Sequence, residues 1–399
     1  MAIIRLRPGH VQPVWAGHPW IYAQAIERIE GNPTSGDEVT VFDPRGNLMG
    51  RGFYSPGSAI PVRILVRDAE TRLDADFFRA RVERAAGRRR DLGLPCHDPP
   101  GDETTGYRLV HAEGDELPGL IVDRFGDVLV AQLLTVGMKH REEMIFAALL
   151  ASGGRTIIDR TPQQTAKAEG FTPGAGVVRG DPATELAMKE RGLAYRLPLE
   201  IGQKTGFYFD QRGLRARVET LARGKRVLDT YSYVGAFAMA AARGGAAEVV
   251  AVDDSAIAIE VAKECAQSNG LDGRITHRKE DSRRALQEAG AGEGFDLCIV
   301  DPPRLAPSRG AREGALVAYS KLAEAGCRAT KVGGVLVFCS CSAAVDLAAL
   351  TRALAIGALH AGKQAFIVER HFQGGDHPVS AAFGEGLYLK ALVARIEAR

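Results

Sequence analysis

A chain of 399 residues, 45% hydrophobic and 25% charged, is too long for one ordinary core and fits two or three globular domains. No apolar run approaches the roughly 20 residues that span a bilayer, and the Met1-Ala2-Ile3-Ile4-Arg5 start lacks the parts of a secretory signal, so a cytoplasmic protein with no membrane partner is expected. A net charge of +2 excludes a uniformly basic nucleic-acid coat, and six scattered cysteines without zinc-ligand spacing predict thiols, not disulfides or a structural metal.

Residues 1–72 alternate short apolar runs with turn signals, as in Glu38-Val39-Thr40-Val41-Phe42 followed by Asp43-Pro44-Arg45-Gly46-Asn47. With further strands at 48–54 and 60–66, they predict a small all-β domain. Residues 74–92 turn helical and arginine-rich, which reads as a linker helix. Its Arg79, Arg81, Arg84, Arg88, Arg89 and Arg90 are either phosphate contacts or, more commonly for such a run, a solvated face. Pro95, Pro99, Pro100 and Gly101 end that helix. Strands at 107–111, 120–123 and 128–135, a helix near 139–151 and a strand near 156–159 then complete a central α+β domain over 73–190.

From Arg226 onward strands alternate with helices, the pattern of a doubly wound parallel sheet, and the C-terminal domain is placed at 191–399. Strands are predicted at 226–229, 248–252, 274–277, 297–301 and 334–339. In such a sheet ligands sit outside the C-terminal strand ends, where an acidic residue about 20 residues past the first turn grips a ribose. Asp253 falls at that distance. The turn Asp229-Thr230-Tyr231-Ser232-Tyr233-Val234-Gly235 has one glycine, not the Gly-x-Gly-x-x-Gly that brings a pyrophosphate onto a helix N-terminus. This argues against a dinucleotide and for an adenosine cofactor without phosphates, whose cationic amino-acid group Asp229 could meet. S-adenosylmethionine (SAM) fits, with Tyr231 and Gly235 lining the turn and Asp281 reaching the adenine amino group from the next strand end. Aspartate also ends strands and caps helices for purely structural reasons, so the three positions together, and none alone, carry the reading.

The apolar run 295–300 stops at Asp301-Pro302-Pro303-Arg304. Proline cannot extend the ladder and restricts the residue before it, which holds the Asp301 carboxylate at the edge where a substrate base would lie. Enzymes methylating exocyclic amines usually carry an aromatic residue after such a Pro-Pro; here Arg304 follows. The strand 335–338 runs into Cys339-Ser340-Cys341-Ser342. Buried cysteines are commonly inert, and Cys265 and Cys298 are expected to be so. Cys341, just past a strand end beside Asp301, has a specific use: a thiolate added to C6 of cytosine makes C5 nucleophilic enough to take a methyl group. Cys339 would share a face with Cys341 on a continued strand, so the spacing leaves both open while position favours Cys341. Asp301 would hydrogen-bond the N3/N4 edge of the base. A SAM-dependent RNA methyltransferase acting on another base or nitrogen, with Cys341 structural, and a non-catalytic RNA-binding assembly factor are the alternatives.

Several stretches share one order with a known family: His18-Pro19-Trp20-Ile21-Tyr22, Gly52-Phe53-Tyr54-Ser55-Pro56, Tyr107-Arg108-Leu109-Val110 and Asp115 to Gly126 in the first half. The second half adds Gln203 to Arg212, Asp301-Pro302-Pro303, Ser340-Cys341-Ser342, Asp376-His377-Pro378 and Glu385-Gly386-Leu387-Tyr388-Leu389-Lys390. Over essentially its whole length the chain resembles bacterial class I SAM-dependent 23S rRNA (cytosine-5)-methyltransferases of the RlmI type. The resemblance implies an N-terminal RNA-binding PUA domain, a central α+β domain and a C-terminal Rossmann-like methyltransferase domain. By position it implies Asp229, Asp253, Asp281 and Asp301 as SAM ligands and favours Cys341 over Cys339. It makes Phe207, Asp210 and Arg212 candidate pocket residues, although packing would explain them equally, and leaves Pro302, Pro303, Arg304 and Arg212 for the substrate. The implied partners are 23S rRNA or a large-subunit assembly intermediate, and a second copy of the chain as a homodimer. Cys339 and Asp254 are departures, as is Arg304, where relatives often have Lys.

Overall fold

The computed structural model describes residues 1–97, 101–201, 205–305, 310 and 312–399. Pro99 and Pro100 of the expected loop, and Gln203 and Lys204 of the 203–212 stretch, lie outside the described residues. The chain divides into an N-terminal unit (Met1–Gly192, Pro198–Phe209, Gly375–Gly386) and a C-terminal unit (Leu193–Leu197, Asp210–Gly374, Leu387–Arg399).

The N-terminal unit opens on a six-stranded sheet in which Ala2–Leu6 runs parallel to Glu38–Phe42 and the other pairings are antiparallel. Ile4, Leu6, Ile21, Val39, Val41 and Val62 form its sealed core. Gly52 shows why the Gly52-Phe53-Tyr54 stretch needs glycine: a Cβ there would lie 1.9 Å from the Arg63 carbonyl oxygen of the paired strand. Trp20 donates through Nε1 to Glu113 (2.8 Å) and meets Phe383 edge-on at 4.6 Å, so the 18–22 stretch is committed to packing. A second sheet of five strands, Gly106–His111, Leu120–Phe125, Val128–Leu133, Thr156–Asp159 and Gly176–Arg179, carries the helices Ala75–Asp91 and Glu142–Ala151.

The helix expected near 139–151 is two, Val136–Lys139 capped by the Thr135 hydroxyl and Glu142–Ala151. The arginine-rich helix departs further from expectation. Arg89 is fully buried and grips Asp115 with two nitrogens at 2.7 and 2.8 Å, while Arg88 reaches Asp115 and Arg81 and Arg84 pair with Glu116. Arg89 is thus neither a solvated residue nor a phosphate contact. Its remaining donors go to the carbonyls of Ala85, Arg108 and Asp376, and Arg108 in turn pairs with the buried Asp123. The apolar period of the helix shows which face is covered but not that an arginine closes it.

After its Leu193–Leu197 segment, the C-terminal unit continues with α1 (Arg212–Leu221), followed by β1 (Arg226–Thr230), α2 (Ala236–Arg243), β2 (Glu248–Asp253), α3 (Ala256–Ser268) and β3 (Ile275–Lys279). It continues with α4 (Ser282–Ala291), β4 (Phe295–Val300), α5 (Arg312–Ala329), β5 (Thr330–Ser340), α6 (Leu347–His360), β6 (Lys363–His371) and β7 (Lys390–Ala398). The seven strands order as β3-β2-β1-β4-β5-β7-β6, with β1 to β5 parallel and β7 antiparallel to both neighbours. The expected α/β doubly wound architecture is present. β3 starts later than predicted because Asp272–Arg274 forms a 3₁₀ turn, and β4 ends at Val300, which leaves Asp301 just beyond the ladder. The final antiparallel pair β6 and β7 was not anticipated, although each carries an apolar run, Ala365-Phe366-Ile367-Val368 and Ala391-Leu392-Val393-Ala394; β6 alternates half-buried and exposed residues along that run.

Replacing Arg89 by Met should destabilise the N-terminal unit by about 3 to 5 kcal/mol, the consequence of stranding a buried carboxylate without its main partner. Denaturant unfolding followed by near-ultraviolet circular dichroism checks this, and an unchanged midpoint would mean that Arg88 satisfies Asp115 by itself.

Candidate active site

Parallel pairing points β1, β2 and β4 the same way, and the strand order reverses between β1 and β4, so their C-terminal ends open one crevice. Asp229, one residue before the end of β1, is 1% exposed. Its Oδ2 accepts from the Ala238 amide at 3.0 Å, whereas Oδ1 is buried with no partner among the described residues. Burial above all, and then the neighbouring Asp301 and Asp253 carboxylates, push its pKa well above the ordinary carboxylate value. Asp253 closes β2 and accepts from the amides of Ser255 (2.9 Å) and Tyr233 (2.8 Å), while burial raises its pKa too.

The turn between β1 and α2 is held in an unusual shape. Tyr231 and Tyr233 are left-handed at φ of 58° and 51°, and Gly235 follows at 73°. Gly235 is needed there, since a Cβ would also crowd that of Ala262 at 3.2 Å. Two aromatic residues in this region cost energy that surrounding contacts must offset. The Tyr231 amide donates to the Ser282 hydroxyl, Ser232 N to the Val252 carbonyl, and Tyr233 N to Asp253. The Ser232 hydroxyl is buried without a partner among the described residues. Asp281 is placed differently from the other carboxylates. It is the N-cap of α4, about half exposed, and pairs with Arg283, whose hydrogen bonds are the main reason its pKa falls to about 2.

At the β4 edge, Gln211 donates through Nε2 to Asp301 Oδ2 at 3.0 Å, and its own Oε1 is buried without a partner among the described residues. Pro302 is buried, whereas Pro303 and Arg304 are exposed and Arg212 is half-buried. Asp210 accepts from the Tyr388 hydroxyl at 2.7 Å, and Phe207 belongs to the N-terminal unit, where it packs on Phe209 at 5.1 Å. The two thiols separate clearly. Cys339 is fully buried, with burial followed by the fields of Asp301 and Cys341 driving its pKa well above the ordinary thiol value. Cys341 lies one residue beyond β5 and is partly exposed. Gln211, Tyr319 and Lys390 were given no role by the sequence reading; the first and last sit inside stretches quoted for the resemblance, and the hydrogen-bonding capacity of their side chains was the available signal.

The fold and this crevice define a doubly wound domain suited to an adenosine cofactor with a cationic tail. Residues 139–370 match the S-adenosylmethionine-dependent methyltransferase family, and residues 4–67 match the PUA-like domain family. The chain is 38% identical to the Ribosomal RNA large subunit methyltransferase I of Shewanella denitrificans, covering 99% of this chain and 100% of that protein. It is 38% identical to the protein of the same name in Aeromonas salmonicida, covering 98% of each. Among solved structures, the chain is similar in fold to SMU.776, described as a methyltransferase complexed with SAH, at a TM-score of 0.85 with 19% identity over 99% of this chain and 100% of that one. A SAM-dependent methyltransferase from Streptococcus mutans aligns with a TM-score of 0.83 and 19% identity over the same shares. The chain belongs to the S-adenosylmethionine-dependent methyltransferases, and SAM is its cofactor. The donor set fits that group: Asp229 Oδ1, without a partner among the described residues, is a buried carboxyl oxygen whose ionised form an ammonium would complete.

Because the folded-state pKa of Asp229 lies above its unfolded value of 3.8, the folded protein holds that proton longer than the unfolded chain. Its contribution to stability is therefore greatest below pH 3.8 and is progressively lost as pH rises towards the folded pKa. Without cofactor, the stability of wild type relative to Asp229→Asn should fall with rising pH above about 4 and then level off. A pH series of denaturant midpoints reads this; a constant difference would place an ordinary, solvated carboxylate at Asp229.

Proposed function

We propose that the protein transfers the methyl group of SAM to C5 of a cytosine in 23S rRNA, with Cys341 as the nucleophile that adds to C6. The carrying observation is the position of Cys341, partly exposed one residue past β5, while Cys339 is sealed in the sheet. The full-length relatives named Ribosomal RNA large subunit methyltransferase I support the ribosomal RNA substrate. The cofactor supplies an electrophilic methyl on a sulfonium. Asp229 would take its ammonium, Asp253 the ribose hydroxyls and Asp281 the adenine amino group, with Tyr231 and Gly235 shaping the wall. For Asp281 this requires sharing a carboxylate already bonded to Arg283.

Cys341 as thiolate adds to C6, which moves an electron pair towards C5. C5 then takes the methyl as the carbon–sulfur bond of the sulfonium breaks. A base removes the C5 proton, the double bond re-forms and the Cys341 thiolate leaves. Asp301, oriented by Gln211, holds the N3/N4 edge of the base and in its protonated form donates to N3. Pro302 and Pro303 would form the floor for the base, and Arg304 and Arg212 would meet its phosphates. The PUA-like domain would recognise RNA by shape and backbone, and the target cytosine must leave its stack to reach a buried edge. The same reading includes a homodimer, which light scattering checks.

Incubation with radiolabelled-methyl SAM and unmodified 23S rRNA, followed by nucleoside analysis, tests the reaction. Wild type should place label in 5-methylcytidine and Cys341→Ala should place none; label in another nucleoside, or undiminished label from the variant, would overturn the role of Cys341. Asp229→Asn should weaken SAM binding on the order of 10- to 100-fold in calorimetry, the range for losing a charged hydrogen bond. Unchanged affinity would remove Asp229 from the cofactor site.

A further inference from the structure

Lys390 opens β7 directly opposite Ser340, the last residue of β5, and is 3% exposed. Its ammonium crosses to the segment that follows β5 and donates to two backbone carbonyls there, Ser342 at 2.8 Å and Val345 at 2.7 Å. Cys341 sits between Ser340 and Ser342, and both serines are tied to one phenol: Ser340 Oγ donates to Tyr319 Oη at 2.9 Å, and Ser342 Oγ lies 3.2 Å from it. Ser342 N closes the loop by donating to Ser340 Oγ at 3.3 Å. The residues on either side of the thiol are thus fixed from α5 by Tyr319, and the turn beyond is fixed from β7 by Lys390.

Among the described residues both partners of this ammonium are neutral carbonyls, and no carboxylate forms an ion pair with it. A buried cation in that situation favours ionisation of whatever acid lies near. Burial lowers the Lys390 pKa to about 8, and the two groups that oppose that fall are Cys341 first and Asp346 second. Asp346 is 65% exposed at its side chain, faces Arg312 at 3.5 Å and caps α6 through the Ala349 amide, so solvent and other partners attenuate its charge. The Asp301 carboxylate and Cys341 both oppose ionisation of Tyr319 and of Cys339. Tyr319 and Cys339 are themselves held neutral by burial.

We propose that Lys390 is the positioning residue of Cys341: its ammonium anchors the turn that carries the thiol and supplies the positive charge against which the thiolate forms. The inference gains its catalytic meaning from the reading of Cys341 as nucleophile. It also gives the terminal Lys of the Glu385–Lys390 stretch a task distinct from sheet formation.

The test is the rate at which iodoacetamide alkylates Cys341, followed by peptide mass spectrometry across about pH 6 to 9.5 in wild type, Lys390→Met and Lys390→Arg. Wild-type Cys341 should titrate below the ordinary thiol value of about 8.5. Lys390→Met should move the curve up by about one unit, which is about tenfold slower alkylation at pH 7, and Lys390→Arg should stay near wild type. Methyl transfer by Lys390→Met should lose about tenfold in kcat with KM for SAM unchanged. An ordinary titration of Cys341 in wild type, or superimposed wild-type and Lys390→Met curves, would overturn the proposal. Should Lys390→Met fail to fold by circular dichroism, the wild-type and Lys390→Arg curves still decide it. Alkylation needs no RNA, so full methylation by Cys341→Ala would remove the nucleophile reading and leave the ammonium–thiolate pairing to be judged on its own curve.

Discussion

Gathering three carboxylates at one edge of a sheet is the constraint around which the C-terminal unit is organised. β2, β1 and β4 are neighbours and parallel, so chain direction alone brings Asp253, Asp229 and Asp301 to the same side. Like charges and burial both oppose ionisation there, as the raised pKa of Asp229 reflects. The fold answers with directed donors: the Ala238 amide for Asp229, Ser255 and Tyr233 for Asp253, and Gln211 for Asp301. Among the described residues, Asp229 Oδ1 is left without a partner. A cofactor with a cationic tail relieves that deficit, and the adjoining turn holds Tyr231 and Tyr233 in the left-handed region at a cost that its contacts must offset.

The two neighbouring thiols show how one ladder gives identical side chains different chemistry. Alternation places Cys339 and Cys341 on a common face only while the strand continues. β5 ends at Ser340, and the parallel ladder with β4 already ends at Val300 opposite Phe338. Cys339 therefore stays inside the sheet, where burial keeps its thiol protonated, and Cys341 emerges into a turn secured by Tyr319 and Lys390. Solvent access and a nearby cation, not the residue type, distinguish them.

In the N-terminal unit, stretches that look functional by their charge are largely a framework. Asp115 and Asp123 are buried against Arg89 and Arg108, and Asp376 accepts from the Arg108 amide while its carbonyl takes Arg89. His377 bonds Asp376 at 3.0 Å and lies against His111, whose pKa burial drives well below the ordinary value. Such a network is satisfied internally and gains rigidity from it. Charge in a motif therefore signals a demand for partners, and those partners here lie within the same unit.

The amino-acid sequence determined the strand and helix alternation after Arg226, the positions of Asp229, Asp253 and Asp301 at strand ends, and the arrest of β4 at the Asp-Pro-Pro. Each follows from local rules: apolar runs, turn residues and the missing proline amide. The tertiary structure alone decided that Arg89 is interior, that Asp281 is shared with Arg283, that Cys339 and Cys341 part company, and that Lys390 reaches the Cys341 turn from 48 residues beyond Ser342. These depend on which side chains meet across distant segments and on how much water remains around them. Periodicity carries neither quantity, because burial and pairing are properties of the packed chain and not of any window along it.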